Sequence, residues 1–334
     1  MAPLPPIQTQ SRLSQMIPAA RKAADKPRYS SRIGASWIGT PCQRKIWLSY
    51  HWAMMPNFSG QMLRLFDTGH REEIRVAEDI ERAGFEVALF DPDAPEPNTQ
   101  FEFTDESGEI VFKADGMVNG TPESKEVHLL EIKTMNDRLF KTLDSKGVQK
   151  SHPHYYAQAQ VGMRLAGLDR CLFVAVNKND DDVYTERLRI NAKFADELIA
   201  RAQEISKMVQ PPDRIGLDPA DKECQYCDFK DLCWSQKFPD VNCRTCTFYS
   251  HKKCTLPRHE RDLTKEDQIK GCEEHIYISG MINAREVDAG VSEDGKMFVE
   301  YENAKGKRFI NANALGCTDV YPSRELVKLT INGV

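Results

Sequence analysis

The sequence predicts an α/β domain carrying a smaller cysteine- and histidine-rich module at its C-terminal end. Helical and strand-like hydrophobic periodicities alternate from Ser31 onward, Pro211-Pro212 ends the last long helical pattern, and after Asp240 the composition turns to closely spaced Cys and His. A chain of 334 residues suits one substantial domain plus an appendage. Its hydrophobic fraction of 40% and charged fraction of 28% are ordinary for a globular protein, and no run of about 18 apolar residues offers a membrane span.

Residues 1–30 lack sustained periodicity and read as a basic N-terminal arm or a short helix around Ser11 to Ala24. Met1 to Gln10 has no basic flank and no apolar h-region, so a secretory signal is not expected and the protein should stay in the cytoplasm. Gly69 to Gly84 reads as a helix, with Ile74, Ala77 and Ile80 at spacings of three and His70 and Glu73 one turn apart. The proline- and acid-rich run Asp91 to Asn98 breaks the chain. Glu109–Asn119 and Glu126–Lys133 read as two adjacent strands around Gly120-Thr121-Pro122-Glu123. Side chains two apart share a strand face, so Glu131 and Lys133 project together while Ile132 points into the opposite layer. A helix over Pro153–Leu168 follows, then strands Cys171–Asn177 and Val183–Ile190 and a helix over Ala192–Met208. In the tail, Met297–Tyr301 and Arg308–Asn311 form a hairpin through Gly306.

The net charge of −5 carries no overall nucleic-acid signature, yet Met1 to Met55 is locally basic, with Arg12, Arg21, Lys22, Lys26, Arg28, Arg32, Arg44 and Lys45 against Asp25. An acidic protein can still hold a basic groove. Asp115, Glu131 and Lys133 supply two hard oxygen ligands and an ammonium, a set suited to phosphodiester hydrolysis with a divalent metal. Alone, such spacing also occurs on countless solvated strand faces.

Ten cysteines in a reducing compartment point to thiolate ligation before disulfides. Cys42 stands alone near the start, whereas Cys224, Cys227 and Cys233 form a C-x2-C-x5-C cluster far downstream. Four soft thiolates satisfy either an iron-sulfur cluster or zinc. A second set comprises Cys243, Cys246, Cys254, Cys272 and His275, with His251 and His259 nearby; five plausible ligands compete for four positions of a zinc site, and the four cysteines are the expected ligands, with His275 as the replacement. Cys171 in an apolar strand and Cys317 in a loop read as ordinary residues. No G-x4-G-K-[ST] loop is present in the sequence, so ATP-driven translocation is not expected of this chain.

A one-plus-three cysteine clasp enclosing an Asp, Glu-x-Lys set resembles the RecB-like iron-sulfur branch of the PD-(D/E)xK superfamily, which includes the AddB nuclease domain and the CRISPR-associated RecB-like exonucleases. The resemblance covers about Ser31 to Trp234 and implies a restriction-endonuclease-like core, a mixed sheet flanked by helices. It implies a 4Fe-4S cluster on Cys42, Cys224, Cys227 and Cys233. Mg2+ or Mn2+ would be held by Asp115, Glu131, the main-chain carbonyl of Ile132 and His70, whose Thr68-Gly69-His70 setting looks like the branch's helix motif, with Glu73 one turn on. Lys133 would orient or deprotonate the metal-bound water. His154-Tyr155-Tyr156-Ala157-Gln158 is similar to the glutamine-tyrosine motif that contacts DNA, with Gln158 and Tyr155 in those roles. The pattern departs at Gly162, where many relatives have tyrosine, and tyrosines preceding the glutamine are similar to the lambda-exonuclease type, leaving Tyr155 or Tyr156 to act.

The expected organisation is therefore an arm over 1–30, a nuclease domain over 31–237 and a zinc-binding-like module over 238–334. The expected activity is that of a metal-dependent exonuclease on DNA with free ends, serving recombination, repair or bacteriophage DNA processing beside a single-strand annealing protein or a helicase. Two alternatives stay open: a site-specific endonuclease on the same core, and a non-catalytic metal-stabilised DNA-binding adaptor. The intact Asp115, Glu131 and Lys133 argue against the adaptor.

Overall fold

The computed structural model describes residues 11–293, 295–313, 318–331 and 333–334. Met1 to Gln10 and Cys317, on which the sequence carries expectations, lie outside the described residues. From the N-terminus, α1 (Leu13–Ala24) precedes β1 (Ile33–Gly34), α2 (Ala35–Ile38), α3 (Gln43–Tyr50) and the long α4 (Gly60–Arg82). Then come β2 (Glu86–Ala88), β3 (Glu102–Thr104), β4 (Ile110–Lys113), β5 (Gly116–Thr121), β6 (Ser124–Met135), α5 (Asp137–Ser151), α6 (Pro153–Ala166), β7 (Arg170–Asn177), β8 (Val183–Arg189), α7 (Ala192–Lys207) and α8 (Lys230–Trp234).

The fold is mixed α/β, as the sequence implies. Its central sheet has the order β2-β5-β6-β7-β8, with β6 and β7 parallel and the other pairs antiparallel. Alternation along β6 and β7 sorts two apolar layers. Leu130, Ile132, Val174 and Val176 pack under Val76 and Ile80 of α4, while Leu129, Cys171, Phe173 and Ala175 face the larger core shared with α5, α6 and α7. A small sheet, β1-β4-β3, lies beside it.

Within the expected arm, Leu13–Ala24 is helical as α1, and α1 is docked on α4. Arg21 pairs with Asp67 at 3.1 Å, and the Pro18 carbonyl lies so close over Gly60 that a Cβ there would come within 1.8 Å of its oxygen. Only glycine allows that approach.

Two sequence expectations are corrected in detail. The helix expected from Gly69 begins nine residues earlier at Gly60, capped by Ser59, whose side chain accepts the Met62 N–H. The run Glu109–Asn119 is two strands in two different sheets, broken at Ala114-Asp115. There the Asp115 side chain accepts the Ile132 N–H at 2.8 Å, which ends the β5–β6 ladder at the Gly116–Leu130 pair. α5 was not expected; Asn136 caps it, and it kinks at Gly147 (φ 71°), where the freed Val148 N–H donates to Glu186 at 2.8 Å.

The C-terminal module continues with β9 (Tyr249–Ser250), β10 (Lys253–Cys254), β11 (Arg261–Asp262), α9 (Lys265–Lys270), β12 (Arg285–Val291), β13 (Met297–Glu302), β14 (Arg308–Ala312), β15 (Val320–Tyr321) and α10 (Ser323–Leu326). β13 and β14 form the expected antiparallel hairpin through Gly306 (φ 77°). Phe238, Tyr277, Tyr301 and Phe309 centre a core of its own. A polar seam joins the module to the main domain. The fully buried Arg244 guanidinium donates to the carbonyls of Tyr50 and Ser31 and to Gln268, and lies over the rings of Tyr50, Trp52 and Tyr249. Asn242 donates to the Trp52 carbonyl at 3.0 Å, and Asp240 accepts the Met55 N–H at 2.9 Å. Among the described residues no helix is long and apolar enough to cross a membrane.

Arg244→Met keeps the side-chain volume but strands three buried acceptors. It is expected to lower unfolding stability by about 3 kcal/mol or more, read from urea titrations. A loss below about 1 kcal/mol, the scale of a surface change, would show that the seam does not depend on this guanidinium.

Candidate active site and cysteine sites

Asp115 stands at the break between β4 and β5, in a loop position that lets its carboxylate reach across to β6. Glu131 and Lys133 extend from the same face of β6. Lys133 Nζ lies 3.5 Å from Asp115 Oδ2, donates to the Ile132 carbonyl at 3.0 Å, and is in ion-pair contact with Glu131. That orientation leaves both oxygens of the fully buried Glu131 carboxylate without a directed hydrogen bond among the described residues. The structure thus gathers four of the sequence candidates, Asp115, Glu131, Ile132 and Lys133, around one point.

Burial pushes the Glu131 carboxyl up to about 7; Lys133 opposes this, and Asp115 and Glu73 add to it. Burial alone would lower the Lys133 ammonium, but Glu131 and Asp115 overcome it and hold the lysine above its usual value, hence charged. His70 and Glu73 reach the same place from α4, 3.5 Å apart, and with Asp115 they line a cleft of about 240 Å3 closed by Leu89, Phe90, Asn98 and Gln100. Glu73 is raised first by burial and then by Asp115. The segment around Asn98, read from sequence only as a chain break, is therefore one wall of this cleft.

On α6, Tyr155 carries the Lys133 ammonium over its ring at 5.6 Å and packs between His152, His154 and Phe173. Tyr156 turns away to stack on Phe194 of α7. Of the two tyrosines, Tyr155 is the one at the lysine. Gln158 lies one turn beyond His154 and Tyr155 on the same helix. Gln160 is structural, since its amide donates to the Arg189 carbonyl and accepts the Asn191 N–H. A Cβ at Gly162 would lie 2.6 Å from the Phe112 ring, so β4 fills the space a larger residue there would need.

Cys42, Cys224, Cys227 and Cys233 line one void of about 20 Å3 together with Arg44 and Arg214. A water-sized species takes about 10–15 Å3 on this scale, so the void has room for about one. Burial raises the Cys227 and Cys233 thiols, and Arg44 lowers Cys233 in part. Neither arginine carried a signal in the spacing of the cysteines. Cys243, Cys254 and Cys272, with His259 and Arg261, line a second cavity of about 430 Å3. Burial and then the neighbouring thiols Cys272 and Cys254 push Cys243 up to about 12; Cys246 reaches about 12 as well, mainly by burial. His275 is not on that cavity. It is buried against Thr245 (Nε2–Oγ1 3.0 Å) and Tyr277, and burial lowers it to about 3. Among the described residues no group of three or more His, Cys, Asp or Glu side chains is drawn close enough to hold a metal ion as it stands. The fit therefore rests on donor chemistry: hard, under-bonded oxygens at Asp115 and Glu131, soft thiols at both cysteine sites.

No protein-family model and no curated protein matches the chain. Among solved structures it is similar to a protein designated SSO0001, with a TM-score of 0.40 and 14% identity, covering 67% of this chain and 96% of that chain. It is similar also to an alkaline exonuclease from Laribacter hongkongensis, with a TM-score of 0.36 and 18% identity, covering 57% of this chain and 90% of that chain. The same exonuclease in complex with dAMP gives a TM-score of 0.35 and 17% identity over the same shares. At these values the likeness is loose, and the functional reading rests on the site itself.

A carboxyl raised in the folded state binds its proton where the unfolded chain has released it, so stability falls as pH rises through that window. For Glu131 the window runs from its ordinary 4.5 to about 7. In the presence of a chelator, Glu131→Gln should flatten this fall and be the more stable protein above pH 7. Parallel stability curves for the two proteins would show that Glu131 does not carry the raised proton affinity.

Proposed function

We propose that the protein is a divalent-metal-dependent deoxyribonuclease acting from DNA ends. The observation that carries the reading is a buried carboxylate, Glu131, left without directed hydrogen bonds and in ion-pair contact with a charged lysine, beside a second carboxylate and the Ile132 carbonyl. Burying such a group is costly unless a cation completes it. Asp115, Glu131 and the Ile132 carbonyl would hold Mg2+ or Mn2+, with His70 and Glu73 on the opposite wall. The ion supplies a water made nucleophilic at neutral pH and a counter-charge for the phosphate oxygens.

The chain's own groups do the rest. Lys133 is held charged and is steadied over Tyr155, so it neutralises charge gathering on the phosphate and keeps the attacking water in place. Gln158 and Tyr155 face the strand to be cut. Arg12, Lys26 and Arg28 of the arm supply phosphate contacts, which set affinity without sequence preference. The nuclease domain spans residues 31–237 and the zinc-binding-like module 238–334, with Cys243, Cys246, Cys254 and Cys272 as its ligands. Partners such as a single-strand annealing protein or a helicase, in recombination, repair or phage DNA processing, fit a nuclease whose given sequence carries no G-x4-G-K-[ST] loop.

At the four-cysteine void we propose a thiolate-held metal group. The resemblance in sequence favours a 4Fe-4S cluster, and four soft thiols would also satisfy a single zinc ion. Metal analysis with absorbance near about 400 nm, where thiolate-bound iron-sulfur centres absorb, decides between them. Cys224→Ala should remove that metal alone.

Asp115→Ala should lower cleavage of end-labelled linear DNA by at least about 100-fold, the scale on which damage to a metal site acts. DNA affinity and its salt dependence should stay as in the parent, since they come from phosphate contacts. Full cleavage by the variant would overturn the assignment. Cutting of circular duplex by the parent protein would make it an endonuclease instead.

A further inference from the structure

The four-cysteine void is also where the C-terminal module grips the main domain. Two arginines line it, and each holds the same short segment of the module. Arg44, nearly fully buried on α3, donates from Nη1 to the Pro212 carbonyl at 3.0 Å and from Nη2 to the Gly280 carbonyl at 2.8 Å. Arg214, seated over the Trp234 ring at 4.6 Å, donates from Nη2 to Asn283 Oδ1 at 2.6 Å. Asn283 in turn donates to the Ser235 carbonyl, and the Gly280 N–H donates to Gln210. The fit is close: a Cβ on Gly280 would lie 2.8 Å from Gln210 and 2.9 Å from Pro211. Ile278 and Met281 complete the contact by joining the core of the main domain, not that of the module.

One donor in this arrangement has no use. Arg44 Nε is buried and has no hydrogen-bond partner among the described residues, and the arginine lines the void beside the thiols. Buried guanidinium donors are rarely left unmade. Arg214, on the exposed side, faces the same void as the buried Arg44. Two cations that face one space are held there most favourably when an anion lies between them. Four thiolates around a metal core leave a net charge of about −2 on that group.

We propose that Arg44 and Arg214 form a latch that ties docking of the Ile278–Asn283 segment, and through it the C-terminal module, to the anionic metal group on Cys42, Cys224, Cys227 and Cys233. The inference rests on the reading of those cysteines as metal ligands. With the group in place, the free Arg44 donor turns to sulfur and the charge of both arginines is met. Without it, that attraction is lost, the contacts to Gly280 and Asn283 are held less firmly, and the segment loosens.

Hydrogen exchange on the full-length protein tests this, with the metal retained or stripped by chelator under reducing conditions. In the parent, stripping should speed exchange over residues 278–283 by at least about tenfold, as expected of a local opening, and leave the hairpin strands 297–302 and 308–312 unchanged. The Arg44→Gln, Arg214→Gln protein should keep its metal but exchange quickly over 278–283 in both states. The Arg44→Lys, Arg214→Lys protein, which keeps the charge, should restore a metal-dependent difference. Equal exchange in the parent with and without metal overturns the latch, as does a metal-dependent difference surviving in the double Gln protein. If Cys224→Ala has the same metal content as the parent, the cysteine reading itself fails and the latch falls with it, an outcome that metal analysis separates from failure of the latch alone.

Discussion

A single hydrogen bond organises the candidate site. Asp115 Oδ2 accepts the Ile132 N–H at 2.8 Å, doing with a side chain what the next residue of β5 would otherwise do with its backbone. The bond ends one strand pair, directs the Asp115 carboxylate inward, and leaves the Ile132 carbonyl to Lys133. Everything charged at the centre then follows from geometry. Period-two alternation sends Glu131 and Lys133 to the side where Asp115 arrives, and the apolar residues between them go to the layer under α4. A shift of one residue in the β5–β6 register would bury the wrong set.

The second organising fact is that the tail is joined to the main domain by polar groups sunk in aromatic and backbone surroundings. Arg244 is satisfied through carbonyls and rings of the segment around Tyr50 and Trp52, whereas Arg44 and Arg214 hold the Gly280 region beside the thiols. Apolar seams tolerate sliding, but a guanidinium with fixed acceptors does not. The module has its own core around Tyr277 and Phe309 and is nevertheless held at defined points.

Much of this was legible in the sequence, for physical reasons that differ by element. The helices over 153–166 and 192–207 and the strands of the central sheet declare themselves because one face of each is buried, so periodicity survives in the residue pattern. α5 is hidden because it is short of apolar residues and contains Gly147, whose kink is repaired by Glu186 on a strand far along the chain. The break at Ala114-Asp115 is hidden because alternation runs straight through it and the acceptor that causes it is a side chain. Within the site, Asp115, Glu131 and Lys133 could be named from type and spacing, and Tyr155 could be separated from Tyr156 only by seeing which one meets the lysine and which meets Phe194. The arginines at the four thiols, and the placing of His275 on Thr245 away from the second cysteine cavity, depend on chain crossings that no local pattern encodes.

The docking of α1 on α4 has a mechanical side. Gly60 lets the Pro18 carbonyl press directly onto the first turn of a helix of 23 residues, and Arg21 is anchored to it at Asp67, one turn before His70. A helix of that length is a stiff rod of about 34 Å. The basic arm is thus the handle of a lever whose shaft bears two of the cleft's walls, His70 and Glu73. Whatever displaces α1 therefore bears directly on the helix that carries both residues, with no loop between the two contacts.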